Sequence, residues 1–209
     1  MFNMKLSYFD WPQILSTLAL FVSLVTAYFS LFRRGKLKTR LGETLLLQLN
    51  SDGRLRVFPE LALHNPGASL GMVYHLKGEL RREADNLKEQ LRWRANLTTV
   101  FVDEGRRADT RFESLPGVIF LPKGDGIAKR LNLHTERSYK LLAGDIELSI
   151  EVWSDGLAKK TTTVGAKIKL NQQDIDFLKD NQLPSPNSSG PFVQLFLKRT
   201  QDGDSFVHV

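Results

Sequence analysis

At 209 residues and 42% hydrophobic content, the chain has the length and composition of one folded domain plus an appendage rather than of a disordered protein. It contains no cysteine, which excludes disulfides, thiolate zinc sites and cysteine nucleophiles and fits a reducing compartment. The net charge of +6 is local. Lys5, Arg33, Arg34, Lys36, Lys38 and Arg40 hold six of the 29 bases against Asp10 alone of the 23 acids, so from residue 41 onward 23 bases face 22 acids. A nucleic-acid binder carries its basic face on the folded domain, and no nucleic-acid partner is expected here.

After a short N-terminus (residues 1–13), Ile14 to Phe32 is an apolar run of nineteen residues without a charge. As a helix it would span roughly 28 Å, close to the hydrocarbon thickness of a bilayer. Asp10 can cap that helix and Pro12 suits its first turn, while Trp11 and Tyr28 suit the interfaces. The run is therefore expected to cross the membrane. A competing reading is a cleaved leader, since Val25-Thr26-Ala27 has a small-x-small pattern. Against it, the segment before the run carries one base and one acid, and the apolar character continues past Ala27.

The run stops against Arg33, Arg34, Lys36, Lys38 and Arg40, a basic juxtamembrane segment (residues 33–41). Basic residues resist translocation, so the N-terminus is expected outside and residues 33–209 in the cytoplasm. The same side chains can hold anionic lipid head groups at about 1 kcal/mol each.

From residue 42 to 200 the period becomes two. Leu45, Leu47 and Leu49 share a face opposite Leu46, and Ser51-Asp52-Gly53 separates them from Leu55, Val57, Pro59, Leu61 and Leu63, a hairpin pattern. Leu70, Met72, Tyr74 and Leu76 alternate after Asn65-Pro66-Gly67. Further strands are predicted around Trp93–Phe101, Val118–Leu121, Ile127–Leu133, Ile146–Val152, Thr162–Leu170 and Val193–Leu197. Two helices are anticipated: Leu80 to Arg92, from the spacing of Leu80, Ala84, Leu87 and Leu91, and Asn171 to Gln182, capped by Asn171. Leu183 to Gly190 reads as a loop and residues 201–209 as a polar tail.

About nine short strands point to an antiparallel β-sandwich or barrel. Tyr139-x4-Gly144-Asp145, leading into the Ile146 strand, resembles the approach to a late strand of immunoglobulin-like sandwiches. The resemblance implies a mainly β fold of that kind, with one N-terminal transmembrane helix and one or two short helices, and it carries no functional residues.

No catalytic constellation emerges. His64, His75, His134 and His208 show no metal-ligand spacing and read as solvent-facing strand residues. Asp103-Glu104 and Asp202-x-Asp204 lack the EF-hand pattern, no G-x-S-x-G elbow occurs, and Gly124-Asp125-Gly126 is a turn rather than a phosphate loop. Arg92, Arg94, Arg106, Arg107 and Arg111 form the basic concentration of the folded part, a candidate patch for an anionic partner. Val207-His208-Val209 has the apolar-x-apolar form that strand-addition domains capture.

The expectation is a single-pass membrane protein that presents a cytoplasmic β-sandwich to a protein partner, without catalysis, cofactor or metal and with homo-oligomers allowed. Two alternatives stand beside it. One is an exported sandwich behind a leader that binds a ligand or carbohydrate; the other is a membrane effector that oligomerises through its helix, where Ser23, Ala27 and Ser30 permit close packing.

Overall fold

The computed structural model describes residues 11–31, 37–102, 107–154, 160–184, 190–199 and 205–208. The apolar run forms helix α1 (Trp11–Leu31). The hydroxyls of Ser16, Thr17 and Thr26 donate back to the carbonyls of Gln13, Gln13 and Val22, so the polar residues cost the helix little in an apolar medium. The segment Trp11–Phe29 is long and apolar enough to cross a membrane, and 0% of it is buried against the rest of the chain. α1 is thus no part of the domain's core.

Eleven strands follow: β1 (Lys38–Leu49), β2 (Leu55–His64), β3 (Gly71–Arg82), β4 (Lys88–Val102), β5 (Arg107–Ser114), β6 (Ile119–Leu121), β7 (Gly126–Thr135), β8 (Gly144–Ser154), β9 (Lys160–Leu170), β10 (Val193–Arg199) and β11 (Ser205–His208). They form one sheet, in the order β5-β4-β7-β2-β1-β10-β11-β9-β8-β3-β6, and β3 also pairs with β4. That last pairing joins the two arms of the sheet into a nearly closed barrel, with β5 and β6 outside the ring as flanks of β4 and β3. All pairs are antiparallel except β11 with β9.

Three expectations are corrected by this arrangement. The strands make one sheet curled on itself instead of two sheets packed face to face, because β4 bridges β7 to β3 and β11 bridges β10 to β9. Both architectures bury alternate residues, so period two does not separate them. The helix anticipated over Leu80 to Arg92 is instead the end of β3, a turn and the start of β4, with Gly78 to Arg81 paired to Leu91 to Lys88. Asn86, at φ 53, takes the left-handed conformation in that turn. The segment read as a polar tail supplies β11.

The inward residues fill the barrel. Leu45, Leu61, Leu131, Leu133, Leu148 and Ile150 are each 0% exposed, within a single cluster that draws on β1 to β4 and β6 to β10. Burying one such side chain contributes about 2 kcal/mol. The outward residues of β3, β8 and β9 are charged and face one another, as Lys77 with Glu151 and Glu147 with Lys167. A lipid-facing barrel wall would need an apolar band there.

The two ends differ. At one, β1 begins, β2 ends, and Lys38 lies at most about 25 Å of chain from Leu31. This is the tethered end. At the far end, Tyr139 and Leu141 fold inward, with the Tyr139 N–H donating to the Gly53 carbonyl. Beside them helix α2 (Gln172–Asp180) inserts Ile175 and Leu178, started by a capping box between Asn171 and Asp174.

Candidate functional site

On the outer wall near the far end, three strands bring basic side chains together. Arg56 of β2 and Arg92 of β4 are both register partners of His134 on β7, which makes one row across three strands. Each strand alternates, so Leu55 and Trp93 point into the core while Arg54, Arg56, Arg92 and Arg94 lie on the outer side. A register shift between Trp93 and Ala95 leaves Arg94 outside the ladder with β7.

Arg54, Arg92, Arg94, Thr135 and Glu136 line a cleft of about 300 Å³. Arg54 Nε is 3.4 Å from Asp52 Oδ2, and Arg92 Nε is 3.9 Å from Glu136 Oε1. Arg94 has no carboxylate within ion-pair distance among the described residues. Thr135 has no hydroxyl to spare, since its Oγ1 donates to the Arg137 carbonyl and accepts from the Leu55 N–H. It therefore pins the floor, and the chemistry of the cleft belongs to the guanidiniums.

Behind the cleft lies His134, 6% exposed, and so not the solvent-facing residue expected. Its Nε2 is 2.8 Å from Asn132 Oδ1, an acceptor, so that nitrogen carries the proton. Burial first, and then the charges of Arg56, Arg94 and Arg54, push its pKa down to about 4. Arg56 is also buried, which lowers its own pKa, and its guanidinium stands 5.0 Å from the centre of the Phe58 ring.

Of the anticipated arginine patch, the structure brings Arg92 and Arg94 together. Arg92 and Arg94 join Arg54 and Arg56, two residues that sequence reasoning missed. Arg111 pairs with Thr98, on the opposite face of β4 from Leu97 and Arg92. Arg107 pairs with Val102 at the other end of β4, and Arg106 lies outside the described residues. A sequence signal did exist: Arg54-Leu55-Arg56 and Arg92-Trp93-Arg94 share a basic–apolar–basic pattern, which sets both bases of each triplet on one face of a strand.

Of the juxtamembrane bases, Lys38 and Arg40 are exposed on the first residues of β1 at the tethered end; Arg33, Arg34 and Lys36 lie outside the described residues. His64 and His75 are exposed, as expected. Among the described residues no three His, Cys, Asp or Glu side chains gather to hold a metal ion. The acid pairs Asp103-Glu104 and Asp202-x-Asp204 lie outside the described residues. Val207 is a ladder partner of Lys198 and Lys167 within the sheet.

A second feature lies on the flank outside the ring. Phe112, Leu115, Val118 and Phe120, on β5, the link after it and β6, are 64%, 71%, 43% and 58% exposed. Leu70, 52% exposed, precedes Gly71, which pairs with Leu121.

The comparisons with known proteins match this chain to no family model, no curated protein and no solved structure.

Proposed function

We propose that this chain is a single-pass membrane protein, with its N-terminus outside, that holds a β-barrel domain in the cytoplasm and binds a protein partner without catalysis. The observation that carries the reading is the exposed apolar flank from Phe112 to Phe120. Four large apolar side chains within nine residues of surface are costly to leave in water, and such patches mark docking surfaces. β5 and β6 each pair on one edge only among the described residues, so a partner can add backbone hydrogen bonds to apolar burial. The interior is filled with leucine, isoleucine and valine, which turns recognition to the outer surface. The bases that follow α1 favour the cytoplasmic orientation.

The test is site-specific photo-crosslinking of the full chain in intact cells, with the probe at Phe120 and, as a control, at exposed Lys169 on the charged wall. A discrete heavier species from the Phe120 probe alone is expected. Equal crosslinking at both positions, or none at Phe120, overturns the docking surface. Topology is read from single cysteines at Ser7 and Gln173, labelled with an impermeant maleimide. Ser154, 8% exposed, would be a poor reporter. Labelling at Ser7 in intact cells, and at Gln173 only after lysis, is the expected pattern; labelling at Gln173 in intact cells overturns the orientation.

A further inference from the structure

We propose that the cleft between Arg54, Arg92 and Arg94 binds the phosphate group of a soluble ligand. This site is separate from the apolar flank and does not depend on the docking reading.

The argument starts from charge. Three guanidiniums line the cleft against the carboxylate of Glu136, with Asp52 paired to Arg54 at its edge, so the site keeps one net positive charge, carried by Arg94, for the anionic oxygens of a phosphate. Asp52 and Glu136 stand at 3.4 and 3.9 Å from their arginines, loose pairs that leave guanidinium donors to spare. Arg94 brings a whole fork. A domain with an almost balanced charge has gathered four arginines on or beside β2 and β4, the two strands that flank β7, with Arg56 buried and His134 held neutral beside it. A protonated histidine would join that repulsion; a bound anion would relieve it.

Shape and position narrow the ligand. The cleft, about 300 Å³, is at the small end of ligand sites, and among the described residues no aromatic ring lines it. Its residues therefore recognise the phosphate itself and offer no stacking platform for a base. A lipid head group presents the same chemistry, but the cleft lies at the start of β2 and the tether at its end. Ten residues of strand separate them, about 30 Å along the wall.

The experiment uses the full chain in nanodiscs of phosphatidylcholine, titrated calorimetrically with glycerol 3-phosphate and, separately, with sodium chloride at matched ionic strength. Saturable binding is expected with glycerol 3-phosphate only. Affinity should fall at least tenfold in the Arg92→Gln/Arg94→Gln double variant and stay at the wild-type value in Arg111→Gln. The Glu136→Gln variant, which removes the competing carboxylate, should bind several-fold tighter, and this gain of affinity does not depend on the double variant folding. The proposal is overturned if the wild type responds no more to glycerol 3-phosphate than to chloride. It is equally overturned if Glu136→Gln binds no tighter than wild type, or if binding appears only when phosphatidic acid is built into the disc.

Discussion

Gly78 on β3 and Leu91 on β4 are register partners across the seam that joins the two arms of the sheet, and a Cβ on Gly78 would stand 2.8 Å from Leu91 Cβ and 3.3 Å from Leu133 Cδ1. The glycine is needed for space. The pairing it permits is short, covering Gly78 to Arg81, before β3 turns to β6 and β4 to β5. Gly78→Val is expected to lower stability by about 2 kcal/mol, the cost of overpacking a tight core position. Gly117→Ala, whose nearest neighbour would be 3.9 Å away, should change it by less than about 1 kcal/mol. Urea unfolding of both variants checks this, and equal midpoints for Gly78→Val and wild type would show that the seam does not form.

Asn65 ties down the tethered end. It is 2% exposed, its Nδ2 donates to the carbonyls of Ser69, Leu121 and Pro122, and its Oδ1 accepts the Gly67 N–H. Asn65→Asp keeps the shape but replaces the donor with a carboxylate facing three carbonyl oxygens. A loss of about 3 kcal/mol at neutral pH is expected from this unsatisfied, charged group. Burial among carbonyls raises the new carboxyl's pKa, and its protonated form can donate. The deficit relative to wild type should therefore shrink as pH falls, which unfolding curves of the pair at pH 8 and pH 5 will read.

His134 makes stability depend on pH in a definite direction. Its pKa falls from 6.5 to about 4 on folding, with Arg56 on β2, Arg92 and Arg94 on β4, Arg54 and Asp52 around it. Between those values the unfolded chain takes up a proton that the folded chain refuses, so stability is present above pH 6.5 and is lost as pH drops toward 4. At pH 5 the loss amounts to about 2 kcal/mol. His134→Gln removes the titrating group, and its stability should be flat between pH 6.5 and 5. A wild type whose stability does not fall over that range rules out the buried neutral histidine.

How much of this could be read beforehand depends on the range of the interactions involved. α1 needed only composition and length, because a bilayer-spanning helix satisfies its own backbone within one segment. The face-sharing of Leu45, Leu47 and Leu49 opposite Leu46 was equally legible: the three lie in the interior, and Leu46 joins Phe58, Ala95 and Leu97 in a smaller cluster of its own. The N-cap at Asn171 was legible as a local pattern, while the reciprocal bond from Asp174 that completes the capping box is seen in the structure. The stretch from Leu80 to Arg92 was misread because a hairpin turn with short polar flanks can mimic helical spacing when only four apolar residues mark it.

The candidate site was half visible. Arg92 and Arg94 are two residues apart on one strand, whereas Arg54 and Arg56 reach them only through β7, since both β2 and β4 pair with it. That adjacency is non-local. By itself, then, the sequence determined a membrane-length helix and a basic segment after it, set by local composition, and a set of strands with one apolar face each, set by a period of two. Only the tertiary structure decided that the strands close into a barrel, that His134 is buried, and which arginines share a cleft. Alternation states which side of a strand is buried and leaves open which strand lies beside it, and strand order is settled by contacts between residues far apart in the chain.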